Sequence, residues 1–329
     1  VTSLPTGAHW GKVVRVRVGK KTSASAPVVG VEFTQALKIT FDVTKTIYRT
    51  PNVGTIKLYN LSEDNENHIH DEFNDVELDA GYAEDGGPQG IFRGNIRYVY
   101  RYREGNDRIT EIQAGDGDKD WKDAEVNFTL AGGHTDGDAI GKMLESLGTT
   151  TLGYVAGTQI TKPHILGKTY SGTVRQVMDV IARNNKAHWA IQDGKLVMVP
   201  FGSTMPNEAI KVDSTTGLLG APQINDKGIS MKLQLDPSVV PNGKLWLSNN
   251  EVKAAVFKAP MLLREHQKKS KAHVRLDPDG VYKVLVVNHK GDTRGNDWYS
   301  EIMCIGLDAK IPTTKSNVPM AGLETYLGD

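Results

Sequence analysis

Hydrophobic and polar residues alternate with period two over most of the first third of the chain. In VVRVRVG (13–19) valine alternates with arginine, GTIKLYNLS (54–62) puts Ile56 and Leu58 in phase with Asn60, and VELDAGYA (76–83) continues the pattern. That spacing predicts strands with one packed and one wet face. It is clearest in GNIRYVYRYREGNDRITEIQAGDGD. There Ile96, Tyr98, Tyr100 and Tyr102 fall on one face and Arg97, Val99, Arg101 and Arg103 on the other, and residues 104–107 supply the turn before RITEIQA returns. Interleaved tyrosine and arginine would also suit a single-stranded nucleic acid, with bases stacked and phosphates held. A strand with one packed and one charged face accounts for the pattern equally.

After residue 120 the period changes. AIGKMLESLG sets Ile140, Met143, Leu144 and Leu147 at helical spacing behind Thr135 or Asp136, and SGTVRQVMDVIARNN sets Val174, Val177, Met178 and Ile181 behind Ser171. Two short amphipathic helices are expected. AHWAIQDGKLVMVP then reads as a hairpin about Asp193 and Gly194. From about residue 206 the strand pattern returns in IKVDS, ISMKLQL, KLWLSN, YKVLVVNHKG and WYSEIMCIGL. Between these, KAPMLLREHQKKSKAHVRL reads as an extended basic loop carrying Arg264, Lys268, Lys269, Lys271 and Arg275, and residues 311–329 as an extended tail ordered by a partner. The expected fold is therefore α+β and predominantly β. A first β-barrel domain covers 1–115, an α+β module with two short helices and a hairpin 116–205, a second β-barrel domain 206–310, and the tail 311–329.

Composition narrows the function classes. A chain of 329 residues holds two or three domains, and its 34 glycines and 14 prolines suit a turn-rich β protein. The single cysteine, Cys304, excludes an internal disulfide and a cysteine zinc cluster. No apolar run reaches the roughly 20 residues of a membrane span, and the start lacks a signal peptide's apolar core, so the expectation is a soluble chain without membrane insertion. Net charge is zero, which gives no general affinity for polyanions. The charge is unevenly placed, however. Residues 1–31 hold Lys12, Arg15, Arg17, Lys20 and Lys21 and no acid, whereas residues 61–85 hold ten acids, Glu63 and Asp64 first, and no Lys or Arg. These are solvated faces of unrelated loops, or complementary edges that meet in an assembly, or, for the acids, the lining of a channel that repels passing DNA.

The stretch AGDGDKDWKD (114–123) carries the one metal-like pattern. Asp116, Asp118 and Asp120 alternate as at the start of a calcium loop, but the position that needs glycine is Trp121 and the one that needs a bidentate glutamate is Asn127. The calcium-loop reading fails. His68 and His70 belong to no HExxH or Cys-His set and read as part of a solvated acidic loop, and no GxSxG, Walker or GxGxxG pattern is present. The expectation is a non-enzyme with no catalytic residues, no cofactor and no metal.

The order of segments carries more than any single motif. GDGD leads into the helix through TDGDAIGKMLESLG, then come YSGTVRQVMDVIARNN, WAIQDGKLVMVP, GLLGAPQINDKGISMKLQLDPSVVPNGKLWL and finally an H-x-GDTRG-x-x-W hairpin from His289 to Trp298. This succession, over roughly residues 12–310, resembles the baseplate hub proteins of phage tails, including the late-control tail proteins. The resemblance implies a homotrimer in the virion, assembled in the host cytoplasm. Two barrels from each chain would form a ring that adapts a six-fold tail tube above to a three-fold spike or tip below, beside other baseplate proteins, with DNA passing through unbound. It implies that Asp116 and Asp118 are turn formers at the exit of the first domain, and that Asp292 and Arg294 shape a hairpin tip. Lys268, Lys269, Lys271, Glu63, Asp64 and Arg294 are the candidate interface residues. A host glycan-binding module and a cell-wall hydrolase are the alternatives.

Overall fold

The structure, a computed structural model, describes residues 11–71, 73–225, 228–247, 256–257 and 280–307. The alternating segments of the first third form β1 (Lys12–Lys20), β2 (Val29–Thr34), β3 (Ile39–Thr46) and β4 (Val53–Tyr59), and after helix α1 (Glu63–Asp71) β5 (Asp75–Tyr82), β6 (Gly87–Glu104) and β7 (Asp107–Gly115). Val14, Val16 and Val18 of β1 and Ile56 and Leu58 of β4 are buried, as the period requires. Asn60 leaves the pattern: it lies just past β4 in left-handed backbone (φ 56), a turn position that asparagine tolerates. Residues 63–71 are a helix rather than a loop. Its first turn holds Glu63, Asp64 and Glu66, its last holds His68 and His70, and this order follows the helix dipole.

The middle module contains α2 (Asp118–Asp123), β8 (Glu125–Leu130), α3 (Asp136–Leu144), β9 (Thr151–Val155), β10 (Lys168–Thr173), α4 (Val174–Asn184), β11 (Ala187–Gln192) and β12 (Lys195–Pro200). Thr135 caps α3 in a reciprocal pair with Asp138. The cap of α4 is Thr173, paired with Gln176, two residues beyond the expected Ser171. Ile140, Met143, Val174, Val177, Met178 and Ile181 then pack with Trp121, Trp189 and Met198 in a core of the module's own. Asp193 and Gly194, both at positive φ, close the β11–β12 hairpin.

The last strands are β13 (Ile210–Val212), β14 (Gln223–Asn225), β15 (Gly228–Gln234), β16 (Lys244–Leu247), β17 (Val256–Phe257), β18 (Val281–Asp292) and β19 (Trp298–Gly306). The fold is mixed α+β and dominated by strands. The two strand-rich regions are not separate closed barrels: among the described residues one hydrogen-bonded sheet runs β17-β14-β15-β19-β18-β3-β4-β7-β6-β5-β1-β2, with β16 branching from β18 and β13 from β16. The join is the antiparallel pairing of β3 with β18, from Thr46 opposite Val286 to Thr40 opposite Asp292.

The sheet nevertheless curls, because one core gathers Val14, Phe33, Phe41, Phe92, Leu235 and Trp298 from strands far apart in that order. Lys12 on β1 reaches the β18–β19 turn, donating to the carbonyls of Asp292 (3.2 Å) and Gly295 (2.6 Å), with its Nζ over the Trp298 ring. The curl is held by side chains where a barrel would use backbone pairing.

Candidate functional site

The β3–β4 turn is the platform on which the middle module sits, and the three aspartates of GDGDKD help to hold it there. Asp116 is fully buried. Its carboxylate accepts the backbone N–H groups of Asp193 and Gly194 (2.8 Å to the latter) and the Asn52 amide at 3.3 Å. Asn52 also donates to Ile191 O (3.1 Å) and Gln192 Oε1 (2.9 Å), and Gln192 donates to Thr46 O (2.6 Å). Lys45, buried, pairs with Asp193 at 2.7 Å, and Arg49 pairs with Asp179. Burial and the nearby Asp193 charge push the Asp116 pKa up to about 7, against its two N–H donors and Lys45.

Asp118 and Asp120 face elsewhere. Asp118 accepts from Arg97 (2.7 Å) and Lys122 (2.8 Å), whereas Asp120 accepts Gly148 N (3.0 Å), Thr149 N (2.9 Å) and the Thr149 hydroxyl (2.8 Å). Asp116 and Asp118 were expected to bond nearby N–H groups as turn formers; apart from the Asp118–Lys122 pair four positions on, the side-chain partners of the three acids lie 21 to 78 positions away, so they act as long-range staples. Their alternation spreads them over three sites, and among the described residues no three His, Cys, Asp or Glu side chains converge as metal ligands. Lys45 was legible and overlooked: it continues the inward phase of Ile39, Phe41 and Val43.

Much of the segregated charge meets within the chain. Arg15 pairs with Asp79 (2.8 Å), Arg17 with both Glu77 and Asp79 (3.2 Å each), and Arg93 with Glu77 (3.4 Å). Basic β1 thus lies beside acidic β5, in register from Lys12 opposite Tyr82 to Gly19 opposite Asp75. Of the candidate interface residues, Glu63 and Asp64 are exposed on the first turn of α1. Arg294 is exposed at the β18–β19 tip and donates to Ala36 O at 2.9 Å. Lys268, Lys269 and Lys271, together with the expected C-terminal tail, lie outside the described residues. At the same tip Asp292 accepts Arg294 N (2.8 Å), and Thr293 bonds Leu37 and Ile39, which fastens the GDTRG turn to the β2–β3 connection.

The tyrosines stand on the face opposite to Ile96. A β-bulge at Arg97 places Ile96 opposite buried Ala114 but Tyr98 opposite Gln113, so Ile96 and Val99 pack on the core while Tyr98, Tyr100 and Tyr102 face out. Tyr98 is 59% exposed and its ring stacks on Tyr100 at 6.1 Å. Tyr102 donates to Glu111 (2.9 Å), which also meets Lys57. Further across the same face, Lys290 lies 3.8 Å from both Asp42 and Glu301. The result is an exposed aromatic row beside alternating charge.

No protein-family model matches the chain, and no curated protein matches it in sequence. Solved structures do. The 43 kDa tail protein of prophage MuSo2 from Shewanella oneidensis superposes with a TM-score of 0.56 at 9% identity, covering 92% of this chain and 99% of that one. The tail protein from Neisseria meningitidis MC58 superposes with a TM-score of 0.57 at 13% identity, covering 92% of this chain and 100% of that one. The chain has the fold of these two tail proteins over nearly its whole length.

Proposed function

We propose that the chain is a structural, non-catalytic hub of a phage tail baseplate. Three copies form a ring whose six strand-rich regions meet the tail tube above and whose three-fold face receives a spike or tip protein below, leaving a passage for DNA. The observation that carries this reading is the extent of the likeness: 92% of this chain accounts for the whole of one tail protein and 99% of another. The continuous sheet suits the role, since a ladder joining both strand-rich regions transmits load without a hinge between them. Native mass measurement of the purified chain and imaging of assembled tails test it. Three copies at the tube–spike junction are expected, and a copy number not divisible by three overturns it.

A second reading rests on the Tyr98 and Tyr100 stack, whose exposed rings would suit the apolar faces of a host glycan. Saturable binding of surface polysaccharide, lost in Tyr98→Ser, would favour it over the hub.

A further inference from the structure

Ile165 and Leu166 are the most exposed large apolar side chains among the described residues, at 94% and 78%. Surface apolar residues commonly lie on weakly held loops, but this one is fixed up to its tip. His164, immediately before the pair, donates its N–H to His134 O (2.8 Å) and accepts Gly133 N–H at its own carbonyl (2.7 Å). Its ring bonds buried Asp136 at 2.9 Å and stacks on His134 at 4.7 Å. Behind it, Gly137 N donates to Ile160 O (3.1 Å), Gln159 N to the Asn185 side chain (3.0 Å), and Asn185 to Asp136 (2.7 Å). A Cβ on Gly132 would lie 2.6 Å from the Ile165 carbonyl, so the close approach there needs glycine. The chain thus holds two aliphatic side chains in water on a rigid mount, which lowers the ordering cost of inserting them into a partner.

A receptor of matching size and opposite charge lies elsewhere on the same chain. A cavity of about 170 Å³ opens between the β5–β6 connection and residues 234–238, lined by Tyr82, Leu235 and Pro237 with Asp85, Asp236 and Ser238 around them. An apolar cavity of about 150 Å³ accommodates benzene, so this one takes a branched aliphatic side chain. Residues 146–178, which carry the knob, contain Lys162, Lys168 and Arg175 and no acid. The two segments that line most of the cavity, 81–89 and 234–238, contain Glu84, Asp85 and Asp236 and no Lys or Arg, and Thr216 completes the wall.

We propose that the Ile165–Leu166 knob of one copy inserts into the Tyr82–Leu235–Pro237 cavity of the next, a head-to-tail contact between copies of this chain. Knob and hole on different parts of one chain either meet twice about a two-fold axis or propagate head to tail and close when the rotation allows; we take the second arrangement. The closure at three copies rests on the hub reading, whereas the knob-in-cavity contact does not depend on what lies above or below the ring.

The test uses the full chain in sedimentation. Ile165→Asp with Leu166→Asp, and separately Ser238→Arg at the cavity rim, should each weaken self-association by at least about tenfold while leaving the melting curve unchanged, and Leu166→Met should behave as the natural chain. Two variants with one added cysteine each give a second readout. The native Cys304 is fully buried and silent, so Leu166→Cys mixed with Ser238→Cys should form a mixed disulfide that neither gives alone, and the Leu166→Cys thiol should alkylate at least about tenfold more slowly once assembled. If the natural chain associates and both knob and rim variants associate equally well, the contact is refuted and the hub stands. If the natural chain stays monomeric, the self-assembling ring falls with it. If the knob variant assembles normally but loses binding to another tail protein or to lipid vesicles, the knob faces that partner and the second-copy proposal is wrong.

Discussion

Asp116→Asn keeps the shape of a fully buried side chain and removes its charge. In the natural chain burial and Asp193 raise the Asp116 pKa from 3.8 to about 7, so the folded state binds that proton more tightly than the unfolded state. The stability this contributes is complete below about pH 3.8 and is lost as pH rises through about 7. At about 1.36 kcal/mol per pH unit the interval is on the order of 4 kcal/mol, of which about 2–3 kcal/mol falls between about pH 5 and pH 8. Asparagine does not titrate. At the lower pH the variant should be the weaker protein, because the amide NH2 would face an N–H group it cannot accept, whereas the hydroxyl oxygen of the protonated carboxyl keeps acceptor capacity, and a buried donor without an acceptor costs about 1–3 kcal/mol. Towards the higher pH the natural chain loses its advantage, and the gap should close or reverse. Urea unfolding of both proteins at the two pH values, followed by the fluorescence of the module's Trp121 and Trp189, measures this. A gap that stays constant within about 0.5 kcal/mol would mean that the N–H donors and Lys45 outweigh burial and keep the carboxylate ionised, and the reasoning would be wrong.

Asp120→Ala leaves Gly148 N and Thr149 N without their acceptor and should cost about 2–4 kcal/mol, read from the urea midpoint of the module. Asp118→Asn should cost about 1–2 kcal/mol, because Asp118 is buried against a partly exposed Arg97, and the loss should shrink in high salt; a cost near zero at every salt concentration would return Asp118 to a simple turn role. Gly291→Ala would put a Cβ 2.3 Å from the Phe41 ring at the β3–β18 junction, and overpacking there should lower stability by about 1–3 kcal/mol in a thermal melt. An unchanged melting temperature would show that the Phe41 ring has room to move.

The elements that local patterning exposes are those whose cause is local. Val14, Val16 and Val18, the Asp193-Gly194 turn and the Thr135 cap were all readable because their periodicity, φ preference and capping chemistry lie within a few residues. Thr173 was readable too, since Gln176 completes its reciprocal cap; Ser171 has no such partner three positions on. Helix α1 was hidden by its polarity: of its residues Glu63–His70 only Glu66 and Ile69 are buried, and the signal was Ser62 followed by an acidic turn. The tyrosine face went wrong for a subtler reason. One bulge at Arg97 reverses the phase between Ile96 and Tyr98, and β6 outruns β5, which pairs with it only as far as Asn95, so among the described residues the rest of the hairpin has no strand on that side. The β3–β18 join brings together residues roughly 240 apart and leaves no local trace.

The internal pairing of charge changes what an assembly contact must use. Glu77 and Asp79 are buried, and Arg15, Arg17 and Arg93 pair with them inside the chain. Those arginines are therefore not available to attract an acidic neighbour, and half of the complementary-edge idea is satisfied within one chain. Among the described residues of the acidic stretch, Glu63 and Asp64 on α1 and Glu84 at the β5–β6 connection are exposed, and Asp85 is half-buried. Exposed acids on two elements, each worth less than about 1 kcal/mol in a rim pair, steer an approach and leave affinity to shape and apolar contact. Assembly of this chain should then show a salt-dependent rate and a nearly salt-independent dissociation, which is the kinetic pattern of an interface whose charges guide and whose apolar contacts hold.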